Sequence, residues 1–266
     1  MLFNGDKLYM LPSVTLTQCM GFLMAGEGDV IGIDSCTQNE ADELEETLLA
    51  LGGKVKCWFL THAHFDHIEG LIEMLNRDKV KVESVCYQFP PLDYIERVER
   101  QENRVQRASD LEEAIKKNGV KVIRPKKGEW IEVGHFRVLP LSDGSPVGET
   151  LNPSSVVYRV ETRGKSVLFL GDMDWRAEGK ILAEFPEELK CPVVQMAHHG
   201  QQGVTEEFYR HIHPEVCVWP TPEWLWNNDI GGGYGKGPYK TLETRSWMEK
   251  LKAVNYRFED KVTILE

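Results

Sequence analysis

Four potential metal ligands fall within six residues in Thr61-His62-Ala63-His64-Phe65-Asp66-His67. The run ends the apolar stretch Val55 to Thr61, which reads as a strand, and opens a helical pattern from Asp66 to Asn76. In extended backbone His62 and His64 project the same way, because side chains alternate with period 2. Asp66 and His67 begin the helix on another vector. One divalent ion can take the first pair and a second ion the other, which a closed four-ligand structural site would not need.

Two further motifs join this cluster. Val167-Leu168-Phe169-Leu170-Gly171-Asp172 is a strand ending in Gly-Asp. Alone it suggests a turn or cap, but beside the histidines Asp172 becomes a carboxylate able to bridge two cations from a strand's C-terminal lip. Asp174 reads as the N-cap of the following helix. Val193-Val194-Gln195-Met196-Ala197-His198-His199-Gly200 is another buried strand ending in imidazoles, and the glycine lets the chain turn past them. His198 is preferred as the ligand of this pair; His199 is left to donate a proton or hydrogen bond to a leaving group. Five of the eight histidines thus stand at strand ends.

Softer signals surround these. Trp224, Trp226, Asn227 and Asn228 precede the glycine-rich run Gly231 to Tyr239, a loop that could carry Trp224, Trp226 and Tyr234 as an aromatic flap over the substrate. Asn152 and Ser155 lie before a strand and are read as pocket residues. Asn39 reads as a helix N-cap, Asp34-Ser35-Cys36 as a supporting turn, and His211 and His213 as surface residues.

The elements that must position these groups are short apolar runs: Lys7 to Leu11, Thr15 to Met24, Asp29 to Ile33, Val55 to Thr61, Val82 to Tyr87, Phe136 to Leu141, Ser155 to Val160, Ser166 to Leu170, Val193 to Ala197, Val216 to Trp219 and Val262 to Leu265. Helical patterns separate them at Asn39 to Leu51, Asp66 to Asn76, Leu92 to Asn118, Trp175 to Phe185, Thr205 to Ile212 and Leu242 to Ala253. No linker or composition break divides the 266 residues, so they read as a single α/β domain, 1–266, of packed sheets covered by helices, with a charged helical insertion near 92–118. A net charge of -11 argues against holding long nucleic acid through counterion release and favours a small-molecule substrate. The six cysteines show no C-x-x-C pair and read as reduced and mostly buried. No apolar run approaches membrane-span length and no leader pattern opens the chain, so no membrane association and a cytoplasmic location are expected.

His62-x-His64-x-Asp66-His67 and Gly171-Asp172 resemble the metallo-β-lactamase superfamily. Asn152-Pro-Ser-Ser155, Gly171-Asp172 and Ala197-His198-His199-Gly200, in that order, are similar to the branch found as the external domain of competence-type DNA-uptake proteins and in phosphorylcholine esterases. The resemblance implies a four-layer αβ/βα sandwich, two mixed β-sheets flanked by helices, with the site at their shared edge. It also implies two divalent metal ions, zinc or manganese with iron possible, and hydrolysis through a bridging hydroxide. His62 and His64 would hold one ion, and Asp66, His67 and His198 the other, with Asp172 between them and Asp66 orienting the nucleophile. Two departures stand out. The usual third histidine of the first metal has only His135 as a candidate, which reads as a surface residue, while Asn152 and Ser155 occupy the corresponding segment. The late histidine is absent, since Val216 to Pro220 continues into Thr221-Pro222-Glu223. A phosphoester or phosphodiester is the expected substrate; a lactone, thioester or β-lactam hydrolase and a non-catalytic metal-binding module are the rivals.

Overall fold

Runs of Val, Ile, Phe and Leu broken by Gly, Pro and Asp give strands of two to six residues, and each buried strand end delivers a polar motif into one edge of the molecule. The computed structural model describes residues 2–99, 102–258 and 261–266. One seven-stranded sheet contains β1 (Lys7–Met10), β2 (Gly21–Gly26), β3 (Asp29–Asp34), β5 (Cys57–Phe59), β7 (Ser84–Cys86), β8 (Lys121–Ile123) and β16 (Thr263–Leu265), in the order β16-β1-β2-β3-β5-β7-β8. The other contains β9 (Ile131–Val133), β10 (Phe136–Pro140), β11 (Tyr158–Glu161), β12 (Val167–Phe169), β13 (Val193–Gln195), β14 (Val216–Trp219) and β15 (Val254–Arg257), ordered β15-β14-β13-β12-β11-β10-β9. Both are mixed: β3, β5, β7 and β8 run parallel, as do β12 to β15, and the remaining pairs are antiparallel.

The sheets pack face to face through a core that includes Phe22, Phe59, Tyr158 and Phe169, with ring centroids 5.3 Å apart for Phe22–Phe169 and for Phe59–Tyr158. Outside the first sheet lie α1 (Ala41–Ala50), α2 (Phe65–Arg77), α3 (Leu92–Val98) and α4 (Glu102–Lys117), which bury Leu44, Leu48, Leu71, Ile95 and Leu111. Outside the second lie α5 (Trp175–Glu184), α6 (Glu206–Ile212) and α8 (Thr241–Leu251), burying Ile181, Phe208, Ile212 and Met248; α7 (Glu223–Trp226) is a single turn. This is the four-layer sandwich implied by the motifs. Each sheet is therefore apolar on both faces, and its parallel strands release their functional residues where ligands are held in such sheets, beyond the carboxyl ends.

Several boundaries differ from the sequence reading, each for a local reason. Val55 to Thr61 and Val82 to Tyr87 each divide: β4 (Lys54–Val55) pairs with β6 (Lys81–Val82) in a separate two-stranded sheet, while β5 and β7 continue in the large one. Thr15 to Gln18 is irregular, and the strand starts only at Gly21. Leu92 to Asn118 holds two helices, because Glu99 is extended at φ -100°, ψ 97°; residues 100 and 101 of that span lie outside the described set. The edge strands β8, β9 and β15 went unread, since their exposed, charge-interrupted residues carry little alternation. Asn39 is not a cap: Thr37 accepts from its amide and shares a capping box with Glu40. Asp174 does cap α5, accepting from Arg176 N.

Four cysteines are buried thiols, but Cys19 and Cys36 form a disulfide, contrary to the expectation that all six stay reduced. The bond ties the segment before β2 to the turn after β3, beside the backbone hydrogen bonds Met20 N to Asp66 O and Cys36 N to Met20 O. Sequence spacing alone gave no sign of it, because the pairing depends on β2 and β3 being neighbours. The cross-link closes a separation of 17 residues, and such a loop is expected to contribute about 3 kcal/mol by restricting the unfolded chain. The Cys19→Ser/Cys36→Ser variant should lose about that much in urea unfolding; an unchanged midpoint would show that the bond adds nothing.

Candidate metal centre

The turn after β3 is the foundation of the site. Asp34, fully buried with φ 51°, accepts from Thr61 N and Thr61 Oγ1 and from His67 Nδ1, all at 2.8 Å. Ser35 N and Oγ both donate to His67 O, and Leu71 N donates to Ser35 Oγ. This brings α2 so close that a Cβ on Gly70 would meet Ser35 O at 1.9 Å; only glycine fits there. The turn therefore supports the site rather than reacting. Gly171, at φ +56°, lets β12 pass close to Thr61 and turn Asp172 inward.

Asp172 stands at the centre. Its Oδ1 lies 3.4 Å from His67 Nε2 and 3.7 Å from His199 Nε2, and its Oδ2 lies 3.8 Å from His62 Nε2 and 3.7 Å from His198 Nε2. His199 Nε2 is also 3.2 Å from Asp66 Oδ2. Two buried groups result, His62/His64/Asp172 and Asp66/His67/His199, each with donor atoms within 4.8 Å of one another.

The rings are held from behind. His62 Nδ1 donates to Thr61 Oγ1 at 3.1 Å, His67 Nδ1 to Asp34, and His199 Nδ1 to Pro220 O at 2.8 Å, so each turns its Nε2 toward the carboxylates. Those three Nε2 atoms and Asp172 Oδ1 are buried with no hydrogen-bond partner. Orphaned buried polar atoms are rare in folded proteins, and four converging on one point fit divalent cations. The residues present thus suit the pair of ions that the motifs imply.

The His198-His199 pair reverses the sequence preference. His199 is fully buried and joins the second group, whereas His198 touches neither Asp66 nor His67 and is 22% exposed in its side chain, its Nε2 accepting from Asn152 Nδ2 at 3.1 Å. The second group therefore takes His199 rather than His198, with His199 Nε2 facing Asp66 and Asp172. Both adopt left-handed backbone, φ 48° and 54°. Such strain costs on the order of 1–3 kcal/mol per residue and persists only where surroundings enforce it; here His198 N donates to Gly171 O and Ala197 N to Tyr209 OH. The missing late histidine has a structural counterpart: Pro220 and Thr221, where it was sought, instead hold His199 through its Nδ1 and carbonyl oxygen.

Other expected residues are more scattered. Ser155 Oγ accepts from Asp172 N at 3.1 Å and donates to Asn152 O, so it braces the site. Trp226 stacks edge-on against Trp219 with Arg245 over its face, half-buried against the apolar cluster beside the second sheet. Trp224 donates from Nε1 to Leu16 O, joining α7 to the loop before β2, and Tyr234 is 64% exposed. His135 lies between Asp6 and Asp29, at 2.9 and 3.3 Å, and is not a ligand. The residue that sequence reading missed is Glu99, whose Oε1 lies 2.9 Å from His64 Nε2.

Electrostatics in this pocket oppose one another. Burial works against charge on His67 and His199, but Asp172, Asp34 and Asp66 outweigh it at His67, raising it well above the usual histidine range, and Asp172 and Asp66 raise His199. Burial also opposes charge on Asp172 and Asp66, yet the neighbouring imidazoles lower both, Asp172 most. Burial and neighbouring imidazolium charge push His62 well down. In the metal-free chain the raised histidines stabilise the fold fully below about pH 6.5 and lose that contribution as pH rises through their elevated values. The depressed carboxylates contribute above about pH 3.9 and lose it as pH falls. Protons and cations thus compete for the second group. The rise in Tm on adding zinc or manganese should be larger at pH 8 than at pH 6; an equal rise at both would contradict the raised histidines.

A family profile described as the Metallo-beta-lactamase superfamily matches residues 14–256. The chain belongs to that superfamily. It is 29% identical over 160 residues to ComE operon protein 3 of Bacillus subtilis (strain 168), covering 60% of this chain but 19% of that protein, so it spans about a fifth of its relative's length. Among solved structures it resembles unliganded yeast PDE1, with TM-score 0.62, 11% identity and full coverage of both chains. A diphosphatase of the PhnP family superposes with TM-score 0.54 at 14% identity, covering 98% of this superfamily member and 97% of that chain. At these identities the likeness concerns the fold.

Proposed function

We propose that this superfamily member is a dinuclear metal-dependent hydrolase of phosphoesters, with a small phosphodiester as the first substrate class. The observation that carries the reading is one carboxylate, Asp172, set between two histidine groups in which the Nε2 atoms of His62, His67 and His199 have no hydrogen-bond partner. When bound, a pair of divalent ions supplies Lewis acidity and a nucleophile available near neutral pH. The chain's own part is to fix the donors: His62 and His64 with Asp172, and Asp66, His67 and His199 with the same carboxylate. Asp66, reaching both His67 and His199, orients the attacking group. His198 and Asn152, paired at the partly open side, meet the substrate; burial lowers the pKa of His198, so it is neutral near pH 7 and offers a hydrogen bond rather than a charge.

A phosphorus centre is supported by the diphosphatase among the fold relatives, and a small substrate by the chain's net charge of -11. The test is a panel on metal-free protein reloaded with zinc, manganese or iron: bis(p-nitrophenyl) phosphate, p-nitrophenyl phosphate, a chromogenic acetate ester, a lactone and a chromogenic β-lactam. The expected result is metal-dependent turnover greatest on the phosphodiester. Preference for a carbonyl substrate would replace the substrate class, and two bound metals without turnover on any compound would favour a binding module.

A further inference from the structure

His64 is turned the opposite way from its neighbours. His62, His67 and His199 each donate from Nδ1 to a fixed oxygen and face the carboxylates with an Nε2 that has no hydrogen-bond partner. His64 is engaged at Nε2, 2.9 Å from Glu99 Oε1. An ionised carboxylate only accepts, so Nε2 carries the proton and the lone pair is left on Nδ1. His64 is the N-cap of α2, extended at φ -75°, ψ 150°.

We propose that Glu99, brought to the site by the helical insertion, is the positioning residue of the first metal group: it selects Nδ1 of His64 as the ligating atom and so sets that group's affinity. This rests on the reading that the site holds two metals. Glu99 is 6% exposed, and burying a carboxylate costs several kcal/mol unless a partner offsets it. Packing alone would be served better by an apolar residue. The chain goes extended at this residue, ending α3 and turning the carboxylate inward.

The helix that carries Glu99 is anchored at its other end. Tyr94 OH lies within hydrogen-bond reach of the carbonyl oxygens of Val147, Gly148 and Thr150, at 3.3, 3.1 and 3.3 Å. That segment leads directly into Asn152 and Ser155, which contact His198 and Asp172. Behind it Arg107 of α4 pairs with Glu69 of α2 at 2.6 Å. The insertion therefore spans the site from His64 to the Asn152 turn, and among its described residues Glu99 touches the ligand His64.

The experiment compares wild type, Glu99→Ala and Glu99→Gln. Long-range nitrogen–proton spectra of histidine-labelled, metal-free protein read the His64 tautomer, and chelator competition with zinc reads each metal's dissociation constant. Wild type should show His64 protonated at Nε2. Glu99→Ala should lose that preference and weaken one metal by about 10–100-fold while leaving the other within about twofold. Glu99→Gln, whose amide oxygen still accepts from Nε2, should keep the tautomer and recover most of the affinity. An Nδ1-protonated His64 in wild type overturns the proposal, as do unchanged constants in a folded Glu99→Ala protein or equal loss at both metals in both variants. If Glu99→Ala does not fold, the wild-type tautomer and the Glu99→Gln constants decide. Failure of wild type to bind metal would remove the proposed function, while the metal-free tautomer would still report on Glu99.

Discussion

Asp172→Ala is expected to release at least one metal per chain and to lower phosphodiester turnover by well over the ~100-fold that follows loss of a supporting partner behind a ligand. Among the described residues, Asp172 is the carboxylate set between the two histidine groups, with Oδ1 3.4 Å from His67 and 3.7 Å from His199 and Oδ2 3.8 Å from His62. The fold should survive, since Asp172 lies outside all three apolar clusters and its backbone amide, not its side chain, holds Ser155. Far-UV circular dichroism should therefore match wild type. What should vanish is most of the stabilisation by added metal, about 2.7 kcal/mol in wild type at a concentration 100 times Kd. A variant with full metal content and activity would remove Asp172 from the centre.

Asp34→Ala should be the most damaging substitution that touches no metal. Its carboxylate takes hydrogen bonds from Thr61 N, Thr61 Oγ1 and His67 Nδ1. Burial raises its pKa despite the neighbouring His67, so the group is costly to place and its removal leaves three donors stranded. Stability should fall by about 3–5 kcal/mol, the range for breaking a buried charged pair. Metal affinity at the second group should fall about 10–100-fold as His67 loses its tautomer and orientation. Asp34→Asn, which keeps one acceptor oxygen, should be milder on both counts. Guanidinium unfolding and chelator competition measure the two effects; loss of stability with unchanged affinity would confine Asp34 to a structural part.

What could be read from sequence was whatever is local. His62, His64, Asp66 and His67 sit within one strand end and one helix start, so their convergence follows from backbone periodicity. Asp172 and the His198-His199 pair were legible as strand-end motifs, because parallel strands all discharge toward the same edge. The choice between His198 and His199 was not, since it turns on two consecutive left-handed residues that no pattern announces. Glu99 was hidden inside a charged stretch that reads as solvated helix surface, and only the break after Val98 aims it at His64. Cys19 and Cys36 are joined by the pairing of β2 with β3 rather than by spacing. The packing of Trp226 was hidden for a similar reason: it meets Trp219, a partner on a distant strand.

The central claim is that two cations share Asp172, and anomalous diffraction from crystals of the metal-loaded chain tests it most directly. The account predicts two peaks about 3.5–4 Å apart, one beside His62 and His64, the other beside Asp66, His67 and His199, with Asp172 reaching both. A single peak, or two peaks of which only one contacts Asp172, would contradict it.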